Sequence, residues 1–398
     1  MKRKSILFSL SIVVLVLAIG LFSACTKSNK KNVLIMGDSI AESVIGPSPI
    51  TERYNYGYYG LLDQCNSNFN VYNAAVSGHE SGHLVDMLKG DLPSYTRNGN
   101  RYNVPNSRNI IERAKNADIM HVSIFGNDLL GEYMNGILKD FIEAEVLHKF
   151  ELGKPITEKT DNASVSSKLE EISSRFNKIM YTSEDPKETS LWKGNVSKNA
   201  KELVELISKL KKKDSKVFFQ KIYNPIVEGT NLVSKEVKQT LKDKKGLDFD
   251  SAEGRAYLKK LTAEMIRLLF LPLENEIKGK SDFNIIDPQE HFNNVANGDE
   301  SKLKDLIFPD YVHPSNEGHS QLFILTQETF YKKGIITKKE FDASLSKYKK
   351  LLNSQYNRLF GRNSKLSKKI SKAKTLSEAS RIYFDAIKGK TPKLPRNF

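Results

Sequence analysis

A serine, a histidine and a carboxylate that could act together on an ester occur in two short stretches of the chain. Ser39 lies in a Gly-Asp-Ser-Ile sequence directly after an apolar run, and far downstream Asp310 precedes His313 by three residues. A serine hydroxyl becomes a strong nucleophile when a histidine takes its proton and a carboxylate orients that histidine. Ser39, His313 and Asp310 are therefore the candidate nucleophile, base and orienting acid.

Two further positions could supply the hydrogen-bond donors that this chemistry needs. Attack on an ester carbonyl creates an oxyanion, which donors on the protein must stabilise. Gly78 and Asn127 each follow an apolar run. Glycine lets a backbone N–H approach a substrate closely, and asparagine adds a side-chain donor. Together with the amide of Ser39, these residues form a candidate oxyanion hole.

The candidate residues follow runs that predict strands. Apolar runs rich in β-branched or aromatic residues predict buried strands at 33–36, 71–75, 119–125, 217–223 and 283–286. Helical patterns between most of them predict an α/β fold, in which helices cover both faces of a parallel sheet. Because parallel strands end at one edge, where such folds bind ligands, we expect Ser39, Gly78 and Asn127 to meet there.

Two segments fall outside this alternation. Residues 129–199 separate the third and fourth strands by far more than a crossover requires, which predicts a largely helical insertion that forms a lid or a substrate wall. The predicted buried face of one of its helices comprises Leu169, Ile172, Phe176 and Ile179. Residues 331–398 predict a helical extension that begins with a cap at Thr337. The apolar stripe predicted for its first helix comprises Phe341, Leu345, Tyr348, Leu352, Tyr356 and Leu359.

The candidate site resembles that of a known family. The four residues that name the SGNH hydrolase superfamily, also called GDSL esterases and lipases, match this sequence in order at Ser39, Gly78, Asn127 and His313. The Asp-x-x-His block of the family matches at Asp310, and the likeness covers about residues 32–330. The resemblance implies a flavodoxin-like three-layer α/β/α sandwich with a five-stranded parallel sheet.

The resemblance also implies an activity, with two departures from the family pattern. Ile40 stands where the first block has leucine, and Phe125 stands where the third block has glycine. The implied reaction is ester or acyl hydrolysis without a metal or other cofactor. Ser39 would form an acyl-enzyme that water hydrolyses, with the other family residues in the roles described above.

The substrate follows only from family membership and location. We expect an O-acyl ester, with acetyl on a carbohydrate or envelope glycan as the preferred case. A lipase or lysophospholipase is the alternative if the insertion lines a channel for longer acyl chains, and an acyltransferase could use the same acyl-enzyme. A binding lipoprotein without catalysis is the alternative from another class, with Phe125 blocking the pocket.

A competing motif lies beside Gly78. Residues 79–83 read His-Glu-Ser-Gly-His, which satisfies the H-E-x-x-H pattern of zinc peptidases. Zinc needs both histidines on one helical turn and a third ligand, but Gly82 weakens the helix and no third histidine follows nearby. We therefore expect no metal, and interpret His79 and His83 as partly exposed residues at the rim of the pocket.

The amino terminus has the pattern of a bacterial lipoprotein signal. Basic residues at positions 2–4 precede an apolar run at 6–22, and small residues stand directly before Cys25, similar to a lipobox although Phe22 is bulkier than usual. This predicts signal residues 1–24, a lipidated Cys25 with a tether over 25–31, and a hydrolase domain over 32–330. An uncleaved anchor helix is the alternative. Either way, the domain is expected outside the cytoplasm, anchored to the membrane of a bacterial cell envelope.

Charge and cysteine content narrow the class of protein. The chain has 398 residues, 27% of them charged, and only 2 cysteines, which excludes a disulfide framework and a multi-spanning membrane protein. Residues 331–398 hold 19 Lys/Arg and 4 Asp/Glu, so the net charge of +15 belongs to the extension. Its basic face is either simply solvated or binds anionic head groups or envelope polymers. Nucleic acid is not an expected partner outside the cytoplasm, and Cys65 is expected to be a packed thiol.

Overall fold

The computed structural model describes residues 30–45, 53–91, 94–97, 100–103, 107–129, 132–143, 196–307 and 310–392. Its strands are β1 (Lys31–Gly37), β2 (Phe69–Asn73), β3 (Ser94–Arg97), β4 (Asn100–Asn103), β5 (Ile119–Ser123), β6 (Lys216–Gln220) and β7 (Phe283–Ile286). Five of them form an all-parallel sheet in the order β2-β1-β5-β6-β7, and β3 and β4 form a separate antiparallel ribbon.

The α/β fold with five parallel strands confirms the sequence prediction. Each predicted strand is present, but β5 and β6 end at Ser123 and Gln220, before the apolar runs end. The remaining apolar residues still pack in the core, where Ile124 is 1% exposed. The sequence analysis missed the β3–β4 ribbon, because residues 94–103 are mostly polar and lack a hydrophobic alternation.

Helices cover both faces of the sheet. They are α1 (Arg53–Tyr56), α2 (Tyr58–Cys65), α3 (Ser81–Lys89), α4 (Ser107–Asn116), α5 (Gly126–Leu129), α6 (Glu132–Glu143), α7 (Val196–Leu210), α8 (Lys235–Lys245), α9 (Ala252–Ile277), α10 (Pro288–Ala296), α11 (Glu300–Ile307), α12 (Asn316–Lys332), α13 (Lys338–Phe360), α14 (Ser364–Lys372) and α15 (Leu376–Ile387). The central strand shows the two-sided burial directly. Leu34 and Met36 of β1 join one hydrophobic cluster, and Val33 and Ile35 join the other.

The carboxyl-terminal extension is part of the second cluster. Thr337 caps α13 in a capping box with Glu340, as the sequence indicates. Tyr348 and Leu352 of α13 are 0% and 2% exposed, and they share a cluster with Ile35 of the central strand. The extension therefore adds helices to one face of the sandwich, and buries its apolar stripe there.

Several sequence predictions lie outside the described residues. These are the signal and most of the tether, at residues 1–29, and the predicted buried helix face of the insertion, at 169–179. Helix α6 and the first four residues of α7 are described parts of the insertion, whereas the rest of α7 is the helix predicted before the fourth strand. Within the described part of the chain, no helix combines the length and apolar character needed to cross a membrane. Cys65 is a free, buried thiol, and burial raises its pKa to about 12.

The shared cluster predicts that the extension and the sheet unfold together. Leu352→Ala removes a buried side chain beneath α13, and we expect it to lower the free energy of unfolding by about 2–5 kcal/mol. The exposed neighbour Lys350 provides the control, since Lys350→Ala should change stability by less than about 0.5 kcal/mol. Urea unfolding followed by circular dichroism measures both variants. Two separate transitions, with only the minor one shifted by Leu352→Ala, would contradict a shared core.

Candidate active site

The turn after β1 holds Ser39 at the carboxyl edge of the sheet. Its start requires glycine: Gly37 has φ of 136°, and a Cβ there would lie 1.7 Å from the carbonyl oxygen of Ser123 in β5. The Asp38 amide then donates to that same oxygen at 3.0 Å. The Asp38 carboxylate accepts the Ile40 amide at 2.9 Å, which holds the turn closed. Ser39 is 7% exposed, at the mouth of this turn.

Asp310 and His313 form an oriented pair in the loop before α12. The imidazole Nδ1 of His313 lies 2.7 Å from Oδ2 of Asp310. The other carboxylate oxygen accepts the backbone amides of His313 at 2.8 Å and Val312 at 3.0 Å. These hydrogen bonds hold the pKa of Asp310 below its usual value, so the carboxylate stays charged. With Nδ1 held by Asp310, Nε2 is the ring nitrogen left to act as a base.

The loop of the Asp-His pair faces the Ser39 turn. Tyr223, after β6, donates its hydroxyl to the carbonyl oxygen of Val312 at 2.5 Å. Burial raises the pKa of Asp38, beside Ser39, and the nearby His313 partly opposes that rise. A small cavity of about 40 Å³ lies between the two loops. Its lining comprises Ile40, Gly126, Leu129, Met134, Ile222, Tyr223, Pro225, Thr262, Ile266, Tyr311 and Val312. Residues that directly adjoin Ser39, Asn127 and His313 in the sequence therefore line this cavity.

The sheet places Gly78 and Asn127 on the two sides of Ser39. Strand β1 pairs with β2 on one side and with β5 on the other. Gly78 follows β2 and has φ of 83°, a conformation that suits glycine. Asn127 follows β5, and its side-chain amide donates to the carbonyl oxygen of His79 at 2.8 Å. The second and third candidate donors are therefore connected by a direct hydrogen bond between their loops.

Glu42 connects the first two loops. The Ser77 amide donates to the Glu42 carboxylate at 2.8 Å, and the Ser77 hydroxyl donates to the same oxygen. Ser77 directly precedes Gly78, and Glu42 lies three residues after Ser39. The carboxylate thus fixes the spacing between the two backbone amides that could bind an oxyanion.

Asp128 connects the other two loops. Its carboxylate accepts the Ser81 amide at 2.9 Å and the Ser81 hydroxyl at 2.6 Å. Asn199 of α7 donates to the Ser81 hydroxyl at 2.9 Å, which ties the end of the insertion to this network. Burial raises the pKa of Asp128 to about 6 and that of Asp38 to about 7. Two buried acids, Asp38 and Asp128, therefore lie directly beside the candidate residues Ser39 and Asn127.

Backbone strain is concentrated in these loops. Four non-glycine residues of the described ranges have positive φ, and three of them lie beside the site: Ser43 at 62°, Phe125 at 82° and Tyr311 at 61°. Such conformations cost about 1–3 kcal/mol each and persist where surrounding contacts hold them. Phe125 occupies the position where the family pattern has glycine, and its φ gives the physical reason for that glycine.

The Phe125 ring lies in the core. It is 0% exposed, and its ring contacts Phe270 of α9 edge-on at a centroid distance of 5.6 Å. It does not line the cavity beside Ser39. The hypothesis that Phe125 blocks the pocket is therefore wrong, because the left-handed backbone directs the ring into the hydrophobic cluster.

The H-E-x-x-H motif marks the start of α3. Glu80 is the N-cap, His83 is the third helical residue, and His79 precedes the helix. The imidazole Nδ1 of His83 accepts the Glu80 amide at 3.0 Å, and the two imidazole rings stack at 5.2 Å. His79 and His83 are 0% and 1% exposed, so the expectation of partly exposed rings is wrong. Burial lowers the pKa of His79 to about 3 and that of His83 to about 4.

The helix start explains the motif without zinc. In the H-E-x-x-H pattern of zinc peptidases, both histidines project from one turn of a helix, whereas His79 lies outside α3. The described ranges contain no group of three or more His, Cys, Asp or Glu side chains that could hold a metal ion.

The sequence analysis did not identify the residues that connect the loops of the site, which are Glu42, Asp128 and Asn199. Glu42 and Asp128 each lie within three residues of a candidate site residue, which is the only local signal of their place. Their partners Ser77 and Ser81 come from another loop, and Asn199 is separated from Ser81 by more than a hundred residues. Contacts of this kind have no sequence spacing that could reveal them.

A parallel sheet with a serine turn and an Asp-x-x-His pair at its carboxyl edge defines a serine acylhydrolase class. A comparison of the sequence with known families leads to the same class, and the match extends over most of the chain. The chain belongs to the family described as GDSL-like Lipase/Acylhydrolase, whose sequence model matches residues 33–325. The protein is thus a GDSL-type esterase or acylhydrolase by family.

Solved structures with similar folds have low sequence identity. A lipase from a goat rumen metagenome is 18% identical, with a TM-score of 0.39, over 76% of this chain and 98% of that one. An extracellular lipase from Streptomyces rimosus is 12% identical, with a TM-score of 0.38, over 75% and 99%. An acetylxylan esterase from Geobacillus stearothermophilus is 15% identical, with a TM-score of 0.33, over 76% and 95%. No protein with a curated description matches the chain.

Replacement of Phe125 is expected to change the free energy of unfolding in two opposite ways, through lost packing and through relief of backbone strain. Phe125→Ala empties the contact with Phe270 and keeps the strained φ, so we expect a loss of about 3–5 kcal/mol in the free energy of unfolding. Phe125→Gly empties the same space but relieves the strain, so its loss should be smaller by about 1 kcal/mol. Chemical denaturation of the two variants gives the difference. Equal stability of the two variants would show that the left-handed backbone at this position costs nothing.

Proposed function

We propose that this protein is a serine esterase that forms an acyl-enzyme on Ser39. The observation that carries the proposal is the hydrogen bond of 2.7 Å between Asp310 and His313, in a loop that faces the serine turn. His313 takes the hydroxyl proton as Ser39 Oγ bonds to the acyl carbon, then gives this proton to the departing alcohol. Water, deprotonated by His313, next attacks the acyl carbon, and Ser39 regains its proton as the carboxylic acid leaves.

The oxyanion of each tetrahedral intermediate is held by the amides of Ser39 and Gly78 and by the side chain of Asn127. This assignment is supported by their placement on adjacent loops at one sheet edge. The hydrogen bonds through Glu42, Asp128 and His79 hold the three donors in place before substrate binds. Donors that are already oriented stabilise the developing charge without a cost of reorganisation.

The preferred substrate is a short O-acyl ester, with acetyl on a carbohydrate or an envelope glycan. The cavity between the serine turn and the histidine loop has a volume of about 40 Å³. This small volume favours a short acyl group over a long acyl chain. Its mostly apolar lining suits the methyl and carbonyl groups of an acetyl ester.

The proposed location is the bacterial cell envelope, with a lipid anchor at Cys25. The signal pattern over residues 1–24 supports this location, and Lys31 already belongs to the first strand. The tether between anchor and fold is therefore about six residues long. Partners of the protein in this setting are the membrane, through the anchor, and an acylated carbohydrate or lipid as substrate.

Labelling with a fluorophosphonate probe tests the acyl-enzyme site without a choice of substrate. The chain from Thr26 onward contains every described residue and is the material for the test. We expect an adduct on Ser39 by peptide mass mapping, and none in His313→Ala. Ser39→Ala should lower hydrolysis of p-nitrophenyl acetate by at least about 1,000-fold. Folded protein that stays unlabelled and does not hydrolyse the ester would favour the alternative of an inactive binding protein.

The acyl length separates the esterase from a lipase or lysophospholipase. In a series of p-nitrophenyl esters, kcat/KM should be highest for acetyl and fall for octanoyl, because the cavity is small. A preference for octanoyl would favour the lipase alternative. Labelling at Ser39 with slow hydrolysis that accelerates when a sugar alcohol is added would favour the acyltransferase.

The contact of Glu42 with Ser77 predicts a positioning role for this carboxylate. Glu42→Gln keeps the side-chain size but weakens both hydrogen bonds, so the Gly78 amide should lose its fixed distance from Ser39. We expect kcat to fall about tenfold, a fraction of the cost of removing an oxyanion donor outright, with little change in KM or Tm. The exposed Glu290, also at the carboxyl edge, provides a matched control in Glu290→Gln. A fall in Tm that accounts for the lost activity would contradict the positioning role.

A further inference from the structure

The point where the tether joins the fold lies beside the start of the carboxyl-terminal extension. Lys31, the first residue of β1, donates its side-chain ammonium to the carbonyl oxygen of Ile335, in the turn between α12 and α13. Asn68, just before β2, donates to the Glu340 carboxylate of α13 at 2.7 Å. This turn therefore belongs to the edge at which the strands begin, here called the amino edge. The active site occupies the opposite, carboxyl edge.

Among the described residues, the two edges carry opposite charge. The segments that lead into the strands, together with the α12–α13 turn, hold 15 Lys/Arg and 6 Asp/Glu. They are residues 30–31, 66–68, 113–118, 209–216, 276–282 and 331–342. The segments that follow the strands, with the histidine loop, hold 1 Lys/Arg and 9 Asp/Glu. They are residues 38–45, 74–80, 124–128, 221–234, 287–290 and 310–317. The net charge of zero for residues 1–330 thus conceals a strong separation.

Helix dipoles explain only part of this separation. Helices that return to the amino edge end there, and basic residues are stabilised in their last turns. Lys338 and Lys339 contradict this explanation, since they lie in the first turn of α13, where the helix end is positive. Lys30 precedes β1 and lies outside any helix. Helix dipoles therefore do not account for the lysines at these positions.

The lysines at the amino edge are accessible. The exposed ones are Lys30, Lys115, Lys209, Lys212, Lys213, Lys278, Lys280, Lys332, Lys333, Lys338 and Lys339. Three of them contact acids at the surface: Lys115 with Glu112 at 3.0 Å, Lys212 with Asp118 at 2.8 Å, and Lys338 with Asp342. The others lie in four separate segments of the same edge. The edge therefore presents a broad positive surface to solvent.

We propose that the amino edge binds an anionic phospholipid membrane and that the active site faces away from it. The short tether favours a membrane over a soluble polymer as the partner. Six residues from Cys25 to Lys31 span at most about 20 Å, so an anchor at Cys25 would hold this edge close to the head groups. Each lysine at an anionic membrane surface strengthens binding by about fivefold, which adds to the marginal hold of a single lipid chain.

The orientation on the membrane determines which substrates can reach the active site. This inference about substrates rests on the proposed esterase function. Strand β1 has seven residues, and at about 3.3 Å per residue it separates the two edges by about 20 Å. The nucleophile would therefore face the space beyond the membrane. A glycan or other solute would reach it there, whereas a phospholipid of the bound membrane would have to leave the bilayer.

Vesicle binding tests the surface independently of any activity. The chain from Thr26 onward, which lacks the anchor, is sedimented with vesicles of phosphatidylcholine containing about a third phosphatidylglycerol. We expect binding that disappears with pure phosphatidylcholine and weakens with salt. Replacing Lys278, Lys280, Lys332 and Lys333 with glutamine should weaken binding at least about tenfold.

A variant with the same net charge provides the control. Lys365, Lys368, Lys369 and Lys372 are exposed on α14, which follows the far end of α13. At that end, Leu359 packs with Ile45 beyond the serine turn. Replacing these four lysines with glutamine should change vesicle binding less than threefold. Equal weakening by both variants, or greater weakening by the α14 variant, would overturn the proposal. So would binding of the unaltered chain to a soluble polyanion such as heparin but not to the anionic vesicles.

The orientation is tested by fluorescence quenching. A dye is attached to Lys333→Cys at the amino edge or to Glu228→Cys at the carboxyl edge, where both native residues are exposed. Cys65 is buried and does not interfere. A quencher on the lipid head groups should quench the dye at position 333 and leave the dye at position 228 unaffected. Quenching at position 228 would overturn the orientation, even if the esterase assay succeeds.

Discussion

The close pairing of β1 with β5 is the constraint on which the rest of the site depends. At the end of β1, the backbone of Gly37 approaches the Ser123 carbonyl so closely that no side chain fits. The chain must therefore leave the sheet at this point, and the turn that follows presents Ser39. Because β1 also pairs with β2, the loops after β2 and β5 flank this turn. The position of the nucleophile thus follows from the packing of three backbone strands.

Two carboxylates, the half-buried Glu42 and the buried Asp128, connect the loops of the candidate site. Glu42 connects the serine turn to the Gly78 loop, and Asp128 connects the Asn127 loop to the start of α3. The strained backbones of Phe125 and Tyr311 lie in the same region, where these contacts and the core beneath hold them. Burial also raises the pKa of Asp128 to about 6. The protein thus spends some stability on fixing donors before substrate arrives, as expected for electrostatic catalysis.

The parallel sheet also explains how one domain presents two different surfaces. All its strands begin at one edge and end at the other, so loops distant in sequence share either the amino or the carboxyl edge. Lysines in the segments 209–216 and 331–342 thereby lie at the edge where β1 begins with Lys31. The acids and the candidate active site occupy the other edge.

The sequence by itself determined the sheet and the candidate residues. Runs such as 33–36 and 119–125 carry the periodicity of buried strands, and Ser39 and His313 belong to short blocks that local sequence displays. Only the tertiary structure decided which way the Phe125 ring points, because a positive φ is a property of the backbone in its packed loop. Tertiary structure also decided the burial of His79, the contact between Asn199 and Ser81, and the separation of charge between the edges. These features depend on residues far apart in the chain, and their spacing in sequence carries no signal of contact in space.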